Sequence, residues 1–200
     1  AVITGWGTAL PERILTNADL EAMIDTSDAW IRERTGIEQR HVGGTTVGLS
    51  VESGGKALDM AGIDRANIDA LVLSTTTPDR AVPASASSVQ RELGLSCGAF
   101  DVNAACSGFV YALVTAHGLI AMGAEKVLVI GTDTLARITD WTDRNTAILF
   151  ADGSGAVVLE AVDGPGQLLG WDLDSVGEAE SALYAEHGDF LKMEGREVFR

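Results

Sequence analysis

The amino-acid sequence predicts an α/β layered fold with a largely parallel mixed sheet and helices on both faces. Apolar runs of strand length alternate along the chain with segments of helical period, a pattern typical of layered α/β proteins. The strongest strand candidate, residues 126–133 (KVLVIGTD), shows no polar alternation, as expected when both faces of a strand are covered. Two hundred residues with 46% hydrophobic content can build a globular core of ordinary size.

Residues 99–124 (AFDVNAACSGFVYALVTAHGLIAMGA) predict the element around which the fold is organised, a short strand followed by a helix that begins at or just after Cys106. No Asp, Glu, Lys or Arg occurs from Val102 to Ala124. A helix that is apolar on every side belongs in the centre of a protein or in a membrane. The preceding strand, the interspersed polar residues and the absence of a flanking basic cluster argue against a membrane span. We therefore expect a central buried helix.

Cys106 is the candidate nucleophile. At the first turn of a helix, unpaired backbone N–H groups and the positive end of the dipole favour a thiolate. The backbone N–H of Cys106 is also a candidate oxyanion donor. The alternative for a cysteine in an apolar run is a small buried hydrophobic residue, and this is our interpretation of Cys97. The two cysteines form neither a disulfide framework nor a zinc spacing, so we predict no metal and a reducing, cytoplasmic compartment.

Four further helices are predicted where apolar residues recur with helical spacing. They cover residues 16–24, 26–36, 47–61 and 84–93. Asn17 and Ser27 have side chains suited to N-caps, while Gly36, Gly62 and Gly94 stand where helices are expected to end.

Further strands are predicted from short apolar runs. They cover residues 1–7, 70–77 and 168–173, and two more are expected within residues 146–162. The ADGSG sequence between those two predicts a tight turn, in which Gly153 and Gly155 supply the backbone freedom. The Gly5-x-Gly7 pair after the first strand lacks the third glycine of a dinucleotide fingerprint, because position 10 is Leu.

The charge of the chain excludes one class of partner. Its formal net charge is −15, and no basic stripe offsets it, so we expect no nucleic-acid role. The first seven residues have the pattern of a strand rather than of a signal peptide. We expect no membrane span.

Four motifs occur in the order TNADLEAMIDTSDAWIRERTGIEQRH, FDVNAACSGFVYAL, GTDTLARITDWTDRNTAILFADGSGAVVLE and KMEGREVFR. Together they resemble β-ketoacyl-acyl carrier protein synthase III, the initiating condensing enzyme of type II fatty acid synthesis. The resemblance implies a thiolase-like fold of two similar halves in a homodimer. Residues 1–174 would be the N-terminal half, and residues 175–200 a connecting segment to a C-terminal half that this chain lacks.

The resemblance also implies roles for particular residues. Cys106 matches the nucleophile that takes an acyl group from acyl-CoA before decarboxylative condensation with malonyl-acyl carrier protein. Trp30 and Arg144 match a pair that stacks on the CoA adenine, Thr26 matches a contact to the same base, and Arg34 matches a basic residue near the CoA phosphates. Acyl-CoA is then a substrate, and no separate cofactor is implied.

The acyl pocket of the family matches three more positions. They are Val82, Phe150 and Phe199. Relatives often have Phe at the position of Val82, where it reaches across the dimer interface. Valine is a departure that predicts a deeper or altered acyl site.

A second departure from the family is that no residue of this chain matches its catalytic His or Asn. The family's catalytic His and Asn lie in its later half, and neither His41, His117 nor His187 matches that His. We therefore interpret the chain as the first half of the enzyme, inactive or nearly so by itself.

Alternatives from the residues themselves remain open. Trp30 is also consistent with a core position on an amphipathic helix, and Arg32, Arg34 and Arg40 with a solvated face. Other candidate functions are a thiolase-fold acyltransferase of secondary metabolism or quinolone synthesis, a non-catalytic half-domain that binds acyl-CoA or carrier protein, and a thiol redox sensor at Cys106.

Overall fold

The computed structural model describes residues 1–164 and 166–194. The chain folds as two compact units. The first unit consists of Ala1–Leu10, Gly44–Asp133 and Gly153–Leu173. The second unit consists of Pro11–Gly43, Thr134–Asp152 and the described residues from Asp174 onward. The predicted boundary between residues 174 and 175 remains a prediction.

The regular elements are numbered in chain order. The strands are β1 (Val2–Ala9), β2 (Ile14–Thr16), β3 (Gln39–His41), β4 (Ala70–Ser74), β5 (Gly98–Val102), β6 (Lys126–Thr134), β7 (Asp152–Glu160), β8 (Leu183–Tyr184) and β9 (Lys192–Met193). The α-helices are α1 (Asn17–Glu21), α2 (Asp28–Thr35), α3 (Thr46–Ala61), α4 (Ser85–Glu92), α5 (Gly108–Ala121) and α6 (Arg144–Ala147). Short 3₁₀ turns cover Arg65–Asn67, Ala105–Ser107, Leu135–Ile138 and Gly177–Ala182.

A five-stranded mixed sheet forms the core of the first unit. Its order is β1-β7-β6-β4-β5. Strand β4 runs parallel to both β5 and β6, whereas β1 and β7 are antiparallel. The predicted α/β class with a largely parallel sheet is confirmed.

Alternate residues of the central strands enter two separate hydrophobic clusters. Leu71 and Leu73 of β4 are buried with residues of α3 and α4, whereas Val72 is buried in another cluster with Ala112 and Ala116 of α5. Both faces of the strand are therefore covered, which explains why its sequence shows no polar alternation.

Gly5 and Gly7 serve packing between β1 and α3. A Cβ at Gly5 would lie 2.3 Å from the carbonyl oxygen of Ala57, and one at Gly7 would lie 2.3 Å from that of Ser53. The helix backbone can approach the strand this closely only because both positions lack a side chain.

Helix α5 is buried on one side among the described residues, whereas its sequence predicts burial all round. Gly108, Ala112 and Ala116 are buried, but Val110 remains 48% exposed. The sheet covers only one face of the helix. No helix in the described part of the chain combines the length and the apolarity that crossing a membrane requires.

The helix caps agree with the sequence except at α1. Ser27 and Gly36 cap α2 as predicted, and Gly62 ends α3. At α1 the prediction is wrong, because Thr16 is the N-cap and forms a capping box with Asp19. Asn17 is buried instead, and its amide nitrogen donates to Asp28 Oδ1 at 2.7 Å.

Two strand predictions are also wrong. The segment 146–162 contains the end of α6 and one strand, β7, in which Gly153 and Gly155 both have negative φ. Asp152 does not mark a turn, because its carboxylate accepts hydrogen bonds from the backbone of Gly43 and Ala136. Residues 168–173 form no strand.

Candidate active site

Cys106 lies in a tight turn between β5 and α5. The 3₁₀ turn Ala105–Ser107 contains it, and α5 begins two residues later at Gly108, as predicted. The cysteine is exposed. No side chain caps the start of α5, so the N–H groups of its first turn have no side-chain acceptor at the N-cap.

The backbone is strained immediately before this cysteine. Ala105 has a φ of 46°, the only positive value among the non-glycine residues described. An L-residue in the left-handed region costs on the order of 1–3 kcal/mol, and such strain persists only where surrounding contacts impose it. The conformation of the turn is therefore fixed by its packing.

Trp30 is the centre of an aromatic and cationic cluster in the second unit. The guanidinium carbon Cζ of Arg144 lies 3.9 Å from the Trp30 ring centroid, and that of Arg34 lies 4.4 Å from it. Trp30 and Arg34 are one helical turn apart on α2, whereas Arg144 begins α6. The structure thus brings together three of the four residues predicted to bind CoA. Stacked guanidinium groups stabilise an indole ring by about 0.5–2 kcal/mol each.

Two polar atoms in predicted CoA-binding residues lack partners. Thr26 Oγ1 and Arg144 Nε are buried and have no hydrogen-bond partner among the residues that the structure describes. A buried polar atom left unpaired costs about 1–3 kcal/mol. These two atoms are suited to hydrogen-bond a polar ligand.

The arginines of α2 have different partners. Arg32 pairs with Asp28 at 2.8 Å and also with Glu38. The hydrogen bonds from Arg32 and Asn17 lower the pKa of the Asp28 carboxyl, and the bond to Asp28 raises the pKa of Arg32. The solvated-face interpretation is confirmed for Arg32. Arg34 forms no ion pair with the described residues, and its guanidinium lies over the Trp30 ring instead.

For Arg40 the solvated-face interpretation is wrong. Its side chain is only 2% exposed, and its Nη1 donates to Asn17 Oδ1 at 2.6 Å. Its Nε donates to the carbonyl oxygen of Ile148 at 3.2 Å. Burial lowers the pKa of this guanidinium. Glu33 and Glu38, which are interleaved with the three arginines in the sequence, suggested exposure, and only the tertiary structure reveals the amide and carbonyl partners of Arg40.

The two described acyl-pocket candidates lie in different units. Val82 is 81% exposed and precedes Pro83 across a cis peptide bond. Phe150 is half-buried in the second unit, and Phe199 lies outside the described residues.

The remaining cysteine and histidines form no catalytic pair with Cys106 in the described residues. Cys97 is half-buried, and burial raises the pKa of its thiol, in agreement with a structural role. His41 Nδ1 lies 2.6 Å from the carbonyl oxygen of Pro11, His117 lies within α5, and His187 is exposed.

Comparison with known proteins gives consistent matches. A model of the 3-oxoacyl-[acyl-carrier-protein (ACP)] synthase III family matches residues 100–177. A β-ketoacyl-[acyl-carrier-protein] synthase III from Brucella suis is 46% identical over the whole chain, which covers 67% of that protein. The corresponding protein of Allorhizobium ampelinum is 47% identical with the same coverage.

Solved structures agree. The 3-oxoacyl-[acyl-carrier-protein] synthase III of Aquifex aeolicus has a TM-score of 0.95 and 40% identity, with 99% of this chain and 66% of that chain covered. A priming β-ketosynthase from the R1128 polyketide pathway has a TM-score of 0.79 and 36% identity, with coverage of 82% and 51%. The chain thus spans about two thirds of the length of the synthase III relatives named here.

Proposed function

The chain belongs to the β-ketoacyl-acyl carrier protein synthase III family, and from this premise we propose that it is the acyl-accepting part of the condensing enzyme that initiates type II fatty acid synthesis. The Cys106 thiolate attacks the thioester carbonyl of acyl-CoA, and CoA leaves as its thiolate. Malonyl-acyl carrier protein then loses CO₂, and its carbanion attacks the acyl-cysteine. The product is 3-oxoacyl-acyl carrier protein, and the Cys106 thiolate is regenerated.

The exposed thiol of Cys106 at the start of α5 carries this proposal. Acyl transfer needs a reachable thiolate and donors aimed at the developing oxyanion. Helix α5 begins two residues after Cys106, and no side chain caps its first turn. We assign the N–H of Cys106 to the oxyanion.

We assign CoA binding to the cluster around Trp30. The purine stacks between the Trp30 indole and the Arg144 guanidinium, Thr26 contacts the same base, and Arg34 pairs with the phosphates. Arg144 now lies 3.9 Å from the Trp30 ring centroid, a single stacking distance. Arg144 must therefore move away by about one ring thickness, about 3.5 Å, to admit the purine.

We assign the acyl pocket to Val82, Phe150 and Phe199, with Val82 reaching into the pocket of a partner subunit in a homodimer. The high exposure of Val82 in a single chain supports this assignment, since a homodimer would bury it. A side chain smaller than Phe leaves room for a longer starter acyl group.

The 200 residues alone are not expected to complete condensation. The family's catalytic His and Asn lie in its later half, and none of the three histidines of this chain matches that His. Residues 1–200 by themselves would therefore be inactive or nearly so.

A condensation assay on a protein extended to the full length of its relatives tests the proposal. Acetyl-CoA and malonyl-acyl carrier protein should give acetoacetyl-acyl carrier protein. Cys106→Ser should abolish the product, whereas Trp30→Ala should raise KM for acetyl-CoA with a smaller effect on kcat. Product formation that survives Cys106→Ser would refute the assignment.

A second candidate is a priming condensing enzyme of secondary metabolism with the same chemistry. The likeness to the R1128 priming ketosynthase and the small side chain at position 82 favour it. A panel of acyl-CoA substrates separates the two, because preference for acetyl-CoA supports fatty acid initiation and preference for longer or branched acyl-CoA supports the alternative.

CoA binding without acylation would indicate a binding module, and sulfenic acid formation without acylation would indicate a redox sensor.

A further inference from the structure

The turn that carries Cys106 rests on two neighbouring strands with almost no space beneath it. A Cβ added to Gly108 would lie 2.0 Å from Ser74 Oγ and 3.3 Å from Ser74 Cβ. A Cβ added to Gly131 would lie 3.0 Å from Cδ2 of Phe109 and 3.4 Å from its Cβ. Gly108 and Phe109 are the first two residues of α5, so both contacts act on the same helical turn.

The two strand residues form a pair. Ser74 of β4 and Gly131 of β6 are register partners in the parallel ladder. Ser74 is the last residue of β4, and Gly131 lies in the second half of β6. We call Ser74, Gly131 and Gly108 the seat of the nucleophile turn.

We propose that this seat sets the position of the Cys106 sulfur, which makes Ser74, Gly108 and Gly131 positioning residues for the acyl transfer described above. The proposal rests on the proposed function. The positive φ of Ala105, 46°, supports it, because strain immediately before Cys106 requires that packing on the far side of the turn hold it in place. An added methyl group at Gly131 would displace the first turn of α5 by a few tenths of an ångström, whereas one at Gly108 would displace it by about 1 Å unless the Ser74 hydroxyl rotates away.

A small displacement of a nucleophile has a large kinetic effect. About 1 Å of misplacement lowers a rate roughly a hundredfold, so a lift of a few tenths of an ångström should cost about tenfold or less in the acylation rate. Binding of acyl-CoA through the Trp30 cluster should be unaffected, since none of its residues belongs to the seat. The effect should therefore appear in kcat and not in KM.

A methyl-exchange experiment on the full-length protein tests the seat. Gly108→Ala introduces a Cβ that clashes with Ser74. Ser74→Gly removes the side-chain atoms that this Cβ would meet, and the double variant carries both substitutions. Gly118→Ala is the matched control in the same helix, because a Cβ there meets no atom of the described residues within 4 Å. Gly131→Ala tests the second contact independently if Gly108→Ala fails to fold.

The readouts are the acylation rate with acetyl-CoA, KM, the melting temperature and the alkylation rate of Cys106 by iodoacetamide. We expect Gly108→Ala to lose about tenfold or more in acylation and Gly131→Ala about tenfold or less, with KM within about twofold for both. The Ser74→Gly/Gly108→Ala double variant should recover most of the loss of Gly108→Ala. A folded Gly108→Ala variant with the wild-type acylation and alkylation rates, or a double variant without recovery, would overturn the proposal. Alkylation of Cys106 requires no acyl-CoA. A wild-type protein that is alkylated but never acylated would therefore refute the proposed function, while the alkylation rates of the variants would still test the seat.

Discussion

At the scale of single residues, the two cysteines show how environment separates reactivity from packing. Both lie near apolar sequence, but Cys106 is exposed at a helix start whereas Cys97 is half-buried beside a strand. Burial raises the pKa of the Cys97 thiol, and a thiol that is less ionised is less nucleophilic.

We therefore expect iodoacetamide to label Cys106 well before Cys97 near neutral pH. Peptide mass mapping over a time course measures both rates in one sample, and a Cys97→Ala protein should keep the Cys106 rate. Equal labelling rates would contradict the distinction between a reactive and a structural cysteine.

At the scale of elements, a carboxylate from a neighbouring strand caps the N-terminus of a helix. Asp101 of β5 accepts hydrogen bonds from the backbone N–H groups of Ser85 and Ala86, each at 2.8 Å. These residues begin α4, whose own N-cap, Ala84, offers no side-chain acceptor. A strand thus supplies the cap that the helix sequence lacks.

Replacing Asp101 by Asn should lower the free energy of unfolding by about 1–2 kcal/mol, since the helix loses a charged acceptor for two N–H groups. Chemical denaturation measures the change. Asp59→Asn is the control, because Asp59 forms only an exposed ion pair with Arg65, and such pairs contribute about 0–1 kcal/mol. Equal effects of the two substitutions would contradict the capping role.

The network at α2 predicts a pH dependence. Hydrogen bonds from Arg32 and Asn17 lower the pKa of the Asp28 carboxyl in the folded state. A lowered folded-state pKa adds stability above the unfolded value, about 3.9, which is lost as the pH falls through the folded value. Stability should therefore decline on acidification below about pH 4, and less steeply in Asp28→Asn.

Urea denaturation at several pH values, followed by tryptophan fluorescence, measures this slope. Glu33→Gln, at an exposed position of the same helix, should keep the wild-type slope. A slope unchanged in Asp28→Asn would show that the Arg32 and Asn17 contacts do not stabilise the ionised carboxylate.

The sequence predicted the ends of these helices correctly where the signal comes from neighbouring residues. Ser27, Gly36 and Gly62 cap their helices because cap preferences depend on neighbouring backbone N–H groups and φ values. The ADGSG sequence misled, because glycines permit a turn without requiring one and because the acceptor role of Asp152 depends on segments far away in the chain.

At the scale of the first unit, a buried chain of hydroxyl groups joins α3 to the sheet. Thr132 Oγ1 lies 2.7 Å from Ser50 Oγ and 2.5 Å from Ser154 Oγ, which in turn lies 2.6 Å from Ser53 Oγ. Ser53 donates to the carbonyl oxygen of Ser50. Since each hydroxyl has one proton, this last bond fixes the direction of the chain as Ser50 to Thr132 to Ser154 to Ser53.

Thr132→Val keeps the shape of the side chain but leaves Ser50 without its acceptor and Ser154 without its donor. We expect a loss of about 1–3 kcal/mol in the free energy of unfolding, measured by chemical denaturation. Thr8→Val at an exposed position of β1 is the control and should have little effect. A Thr132→Val protein as stable as the wild type would contradict the network.

The sequence predicted the site unevenly, for physical reasons. It placed Cys106 at a helix start, because the signals for a helix start are local. It paired Trp30 with Arg144, because the motifs that contain them resemble those of a known family. It missed the buried role of Arg40, the hydroxyl chain and the contact of Ser74 with Gly108. Each of those depends on partners more than 20 residues away, which no local pattern encodes.

The central claim is that Cys106 takes the acyl group, and the most direct measurement is the intact mass of the full-length protein after incubation with acetyl-CoA alone. We predict the addition of a single acetyl group, mapped to Cys106, labile to hydroxylamine as a thioester is, and absent from Cys106→Ser. A protein that gains no acetyl group, or that gains it equally in Cys106→Ser, would contradict the account.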